Sequence, residues 1–287
     1  MTKFEAMARR SASIAAGAAV VLSLLTGIAF AQPFQRTPGV WLSGGEHKLT
    51  GAHVEELARS LRRISGFSEL HFAKNGSLAL GAAQSAPSGG SATARRILSR
   101  SINSGFVFII EDHSGSPLVN FGQLDEGLRY EDAMAGLRLT VWRVRLDFDD
   151  FRAMQASPEV RDSFDVGFTT LHELLHGLGY KDAASVDELG ECEEALNQAR
   201  AELALPLRDQ YFGDEVRMGQ RFVSVRLRFR SKKTPSSAGG RARTQYLFFM
   251  VYAGPKQRTG SAFGCGNWTA FYGKESKDPR AKGLKGD

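Results

Sequence analysis

The spacing of apolar positions changes character several times along the chain, and the changes mark out its elements. From Ala52 to Ser65, the residues Val54, Leu57, Leu61 and Ile64 fall on one stripe, which predicts an amphipathic helix. Glu69–Ala73 and Ser77–Leu80 flank Lys74-Asn75-Gly76, and Asn-Gly suits the left-handed backbone of a tight hairpin turn. After a Ser/Gly/Pro loop from Gln84 to Gly90, Ser91 is placed to cap a second helix through Ile97, Leu98 and Ile102, ended by Gly105. The unbroken apolar run Phe106–Ile110 predicts a buried strand. Glu111–Gly136 carries turn residues with little periodicity and reads as a long connection, its His113 without special role. In Arg138–Phe148, Leu139 and Val141 alternate out of phase with Val144, Leu146 and Phe148. We therefore expect a strand with a bulge near Trp142-Arg143.

The most legible element follows. Ser157-Pro158 supplies an N-cap and a first-turn proline. Val160, Phe164, Phe168, Leu171, Leu175 and Leu178 then recur every three or four residues, predicting one continuous helix that Gly177 and Gly179 end. Ser185-Val186-Asp187-Glu188 reads as a capping box opening another helix, through Leu196 and Leu203 to Pro206. Phe222–Phe229 and Gln245–Tyr252 read as a C-terminal strand pair joined by a Ser/Lys/Gly-rich loop. Together these elements predict an α+β fold: a small mixed or antiparallel sheet, a central helix packed on it, an acid-bearing helix and a C-terminal β-hairpin.

The N-terminus adds a compartment. Lys3, Arg9 and Arg10 precede an apolar stretch, and Ala29-Phe30-Ala31 gives a cleavage pattern, so residues 1–31 resemble a secretory signal. A membrane anchor is the alternative, but Gly17, Ser23, Thr26 and Gly27 interrupt a run already short for a ~20-residue span. We expect cleavage near Ala31, export to the periplasm or beyond, and no stable membrane insertion afterwards. Residues 32–50 read as a leader, 51–272 as one domain, and the polar, basic 273–287 as a disordered tail. The 42% hydrophobic and 24% charged content is that of an ordinary globular chain. Removing Lys3, Arg9, Arg10 and Glu5 with the signal lowers the net charge from +6 to +4, too mild to imply nucleic acid. The arginines of Arg221–Arg230 alternate with apolar residues, as on one solvated strand face. Cys192 and Cys265 are the only cysteines, and in an oxidising compartment a disulfide between them is the simplest expectation.

Candidate chemistry centres on His172-Glu173-Leu174-Leu175-His176. Histidines four apart on a helix project from one face and can share a tetrahedral ion. Glu173, at the edge of that face, can take a proton from a metal-bound water instead of binding the metal. The buried stripe of Leu171, Leu175 and Leu178 turns the two histidines together toward the neighbouring side. This pattern resembles the HExxH motif of the zincin metallopeptidases. The resemblance implies Zn2+ held by His172 and His176, Glu173 as general base, and a peptide or protein substrate. It also implies an edge strand beside the active-site helix, in the place of Arg138–Phe148.

For the third ligand, Gly179 and Asp182 complete HExxHxxGxxD, a metzincin-like spacing, although no Met-turn follows. Glu194 stands at a gluzincin-like distance on the next helix, as in short effector-type zincins, and Glu191 is a further candidate among Glu188, Glu191, Glu193 and Glu194. Tyr211, beside Arg208, is the candidate for stabilising an oxyanion, and Asp165 and Asn197 for orienting the histidines. Two other readings stand beside the peptidase: an effector-like zincin acting on one partner protein, and a structural zinc protein without turnover. The oligomeric state is not legible.

Overall fold

In the computed structural model, residues 37–81, 87, 89–116, 121–132, 137–185, 188–211, 214–218, 222–231, 244–252 and 271–272 are described. The signal, Cys265, most of the Ser231–Arg243 loop and the tail lie outside them. The chain divides into two compact units, Met1–Thr37 and Pro38–Asp287, and every element below belongs to the second.

The first strand, β1 (Gly39–Leu42), arises within the expected leader. It pairs in parallel with β4 (Val107–Asp112), Val40 opposite Phe108. Between them come α1 (Gly51–Ser65), the hairpin of β2 (His71–Phe72) and β3 (Leu78–Ala79), and α2 (Ala92–Ile102). Thr50 caps α1 and Ser91 caps α2, each side chain accepting a backbone N–H of the first turn. Continuing from β4, β5 (Gly122–Asp132) and β6 (Leu137–Leu146) complete a four-stranded mixed sheet in the order β1-β4-β6-β5. β6 runs parallel to β4, and β5 is the antiparallel edge.

Two expectations change here. The Glu111–Gly136 connection contains β5, whose charged residues hide its period. The bulge lies on β5: between Asp125 and Leu128 two of its residues face the single Trp142 of β6. The register of β4 against β6 is unbroken from Val107↔Val141 to Asp112↔Leu146. The out-of-phase apolar sets of β6 therefore occupy its two faces. Val144 and Leu146 join Phe108 and Ile110 in the main core, while Val141 and Leu139 sit with Val107 on the reverse.

Asp147 then caps α3 (Phe148–Ala153). The long helix expected from Ser157 is two helices, α4 (Pro158–Ser163) and α5 (Val166–Gly177). The break falls at Phe164-Asp165, because Asp165 leaves helical geometry to become the N-cap of α5, accepting from Phe168 N at 3.0 Å. Ser60 and Arg63 of α1 hold the same carboxylate, so the break is also a tertiary junction. The acid-bearing helix, α6 (Gly190–Glu202), starts later than the Ser185 box predicts.

Past it, β7 (Leu207–Arg208), β8 (Asp214–Met218), β9 (Phe222–Arg230), β10 (Thr244–Tyr252) and β11 (Phe271–Tyr272) build a second antiparallel sheet. The expected hairpin is β9 with β10. Val225, Leu227, Phe229 and Leu247 enter the core, while Arg226, Arg228 and Arg230 alternate with them. The architecture is mixed α+β, with small sheets and several helices. No described helix is long and apolar enough to cross a membrane.

Candidate metal centre

α5 is buried on nearly all sides, from Val166 to Leu175. Its polar residues are therefore placed by packing. His172 is 3% exposed and Glu173 2%, whereas His176, one turn on, is only partly covered. Leu178 N–H closes the helix, and Gly179 at φ +93° reverses the chain. Asp182 is thereby brought back over the histidines. Its short segment is fastened to the start of α6 by a bridge to Gly190 and by Cys192 N donating to Lys181 O at 3.2 Å. Glu191 accepts from Lys181 N at 2.9 Å and Glu188 from Ala184 N at 3.3 Å.

Two imidazole nitrogens and both oxygens of one carboxylate converge. His172 Nε2 and His176 Nε2 are 3.1 Å apart. Asp182 Oδ1 lies 3.1 Å from His172 Nε2, and Oδ2 lies 3.1 Å from His176 Nε2. Ligands at 2.0–2.1 Å around a tetrahedral ion stand about 3.3 Å from one another, so the spacings between the three side chains are those of ligands to one ion. The electronics point the same way. His176 Nδ1 faces the carbonyl of Tyr180 at 3.1 Å, which can only accept, so the proton sits on Nδ1 and the Nε2 lone pair faces inward. His172 Nδ1 faces the carboxylate Oε1 of Glu193 at 3.4 Å, an ion-pair contact longer than a well-formed hydrogen bond. Asp182 Oδ1 is buried and makes no hydrogen bond of sound geometry. Two lone pairs and a carboxylate pointing at each other make a site that a metal ion can fill.

The charges agree. Burial would raise the pKa of Asp182, but the two imidazoles outweigh it and hold the carboxyl well below its ordinary range. Burial would lower His176, and the contact with Asp182 reverses that, raising it. Glu173 moves the other way: burial raises its pKa, against the pull of His172 and His176. β5 reaches it directly, with Leu124 N–H hydrogen-bonding the Glu173 carboxylate. The approach is so close that a Cβ on Gly122 would stand 2.4 Å from Thr169 Cγ2 and 3.1 Å from Glu173 Oε1. The strand beside the site is therefore β5 and not Arg138–Phe148, which lies one strand inward.

Of the candidate third ligands, Asp182 is with the histidines. Glu194 is exposed on the outer side of α6, and Glu191 is engaged at the Lys181 backbone. Tyr211 stacks on His172, ring centroids 6.1 Å apart at 17°, and is 2% exposed. Asp165 acts as a helix cap, and Asn197 bridges Arg208 N and Arg200, so neither touches the histidines.

Two residues stand in places the sequence reading did not assign them. Cys192, expected to pair with Cys265, is buried with Sγ 3.6 Å from His176 Nδ1, and Sγ and the other donors of the cluster lie within 4.8 Å of one another. Glu193 sits behind His172, gripped by Arg200 at 2.7 Å and Arg208 at 2.8 Å. The signal for it was available: Glu193 and Arg200 share the face of α6 that buries Cys192, Leu196 and Ala199. Charges on a buried stripe must be paired.

No protein-family model, no curated protein and no solved structure matches this chain. The fold and the site thus define an α+β protein whose His/His/Asp/Cys cluster can hold a metal ion.

Proposed function

We propose that this chain is an exported zinc-dependent peptidase of zincin type, with His172, His176 and Asp182 as ligands and Glu173 as general base. The observation that carries the reading is the inward convergence of two Nε2 lone pairs and a carboxylate, with a buried glutamate next in sequence. His172, His176 and Asp182 would hold the zinc, which would supply Lewis acidity and a water of pKa lowered toward ~7. Glu173, its proton affinity raised by burial, accepts that proton and returns it to the leaving amine. β5 runs along the site as an edge strand on which an extended peptide can lie. Tyr211 is the candidate hydroxyl for the oxyanion, its ring fixed against His172.

A structural metal site is the second reading, favoured by Cys192 as a fourth donor. Sγ, however, stands 3.6 Å from Nδ1 of His176, the ring nitrogen turned away from Asp182. Zinc content of the purified protein, with peptide-library cleavage, separates the two. We expect about one zinc per chain, lost in His172→Ala and Asp182→Ala and kept in Glu194→Ala and Cys192→Ser. Glu173→Gln should keep zinc and lose roughly 10²–10⁴-fold in cleavage. Zinc that leaves with Cys192→Ser, in a wild type that cleaves nothing, points to the structural site. Cleavage of one partner protein but no library peptide points to an effector. A wild type that takes up no zinc removes the proposal.

A further inference from the structure

Beneath the metal cluster lies a buried ionic group that the proposed reaction leaves unused. Glu193, Arg200 and Arg208 are all 1–2% exposed. Arg208 is the centre of it. Its Nη1 donates to Glu193 Oε1 at 2.8 Å, its Nη2 to the Tyr211 carbonyl, and its Nε to the Gln210 carbonyl at 3.1 Å. The Glu193 oxygen it grips is the one 3.4 Å from His172 Nδ1. The residue whose carbonyl it grips is the one whose ring stacks on His172. One guanidinium thus places both contacts on the same imidazole, one at its edge and one at its face. Arg200 locks the other Glu193 oxygen at 2.7 Å and ties it to Ser163 O at 2.9 Å, just before the cap of α5.

We propose that Arg208 and Glu193 are positioning residues for His172, fixing its neutral tautomer with the proton on Nδ1 and the Nε2 lone pair toward Asp182. This rests on the reading of His172 as a ligand through Nε2. A carboxylate has no proton to give, so an imidazole nitrogen facing it at 3.4 Å favours carrying the proton itself. Arg200 and Arg208 each grip one oxygen of that carboxylate, at 2.7 and 2.8 Å, and so fix its position beside the ring. An orienting carboxylate of this kind contributes about 10–100-fold to metal affinity. His176 obtains the same orientation from the Tyr180 carbonyl, so the two ligands are set by unlike devices.

The test reads the tautomer directly, by long-range 15N–1H correlation on histidine-labelled, metal-free protein at a pH where His172 is neutral, beside zinc affinity by chelator competition. We expect His172 in wild type as the Nδ1–H form, a mixture of tautomers in Glu193→Gln, and zinc binding weakened about 10–100-fold in that variant. Arg208→Lys, which keeps a charge but loses the fork, should shift the tautomer in the same direction. A wild-type His172 carrying its proton on Nε2 overturns the proposal even if the variants do not fold. So does a folded Glu193→Gln with unchanged tautomer and zinc affinity. A wild type that binds no zinc yet shows the Nδ1–H form sinks the peptidase and leaves the clamp standing.

Discussion

The metal cluster has two walls of different construction. One is α5 and the turn to Asp182, where His172, Glu173, His176 and Asp182 fall within eleven consecutive residues and are brought together by helix geometry and one reversal at Gly179. The other is α6 with Leu207–Tyr211, where Glu193, Arg200 and Arg208 meet through charge pairing, and Tyr211 reaches the histidine through the chain's path past β7. The first wall presents the converging donor atoms. The second holds them by fully buried ions, whose desolvation only close, multiple contacts can offset. A local wall tolerates change at its back. An ionic wall fails as a unit.

The comparison breaks most sharply at Glu193. Glu193→Ala leaves Arg200 and Arg208 as adjacent buried cations, and should cost about 3–5 kcal/mol of stability in denaturant unfolding. Exchanging the exposed Glu194 for alanine on the same helix should stay within about 0.5 kcal/mol. Equal effects at the two positions would mean that the second wall is not held by its ions.

The two walls meet at Gly190, which has φ +77° and bridges to Asp182. A Cβ there would stand 2.3 Å from Ala183 N and 2.5 Å from the Asp182 carbonyl carbon, both backbone atoms that cannot step aside. Gly190→Ala should cost on the order of 1–3 kcal/mol and weaken metal binding, because the Asp182 segment must move. Gly179, also at positive φ but with open space around it, should cost only about 1 kcal/mol as alanine. Zinc affinity unaffected in Gly190→Ala would detach Asp182 from the second wall.

This asymmetry also explains what could be read from the sequence. Helix periodicity and caps are local, so α1, α2 and the motif face were legible, and so was Asp182, by its spacing after His176. The break at Phe164-Asp165 was not, because an unbroken apolar stripe fits one helix as well as two packed end to end. What decides it is Ser60 and Arg63 holding Asp165 from about a hundred residues away. The late start of α6 has a related cause: the stretch before it is drawn to the Asp182 turn, with Glu188 and Glu191 spent on that backbone. β5 escaped because an edge strand with charges on its open side shows no clean alternation. β1 escaped because four residues carry too little pattern to separate a strand from a leader. Glu193 looked like one acid among several, since its partners come from further along the chain.

The smallest expected effect lies at the far end of α6 and limits the comparison from that side. Glu202 accepts from Ser91 Oγ at 2.6 Å and from Thr93 N at 3.0 Å, joining α6 to the N-terminus of α2. Like Glu193 it is a carboxylate held by close donors, but it is exposed and its donors are uncharged. Its slight burial raises the pKa, and the hydrogen bonds from Ser91 and Thr93 outweigh that and lower it. Because the folded value lies below the unfolded one, the stabilisation is complete above the unfolded value. It disappears as pH falls through the folded one. Glu202→Gln should therefore cost on the order of 0.5 kcal/mol at neutral pH once solvent screening is counted, and nothing under strongly acidic conditions. Denaturant midpoints of the two proteins across that range would read it. A gap that stays constant with pH would assign the contact to hydrogen bonding alone. A gap approaching that of Glu193→Ala would show that burial is not what separates the two ends of α6.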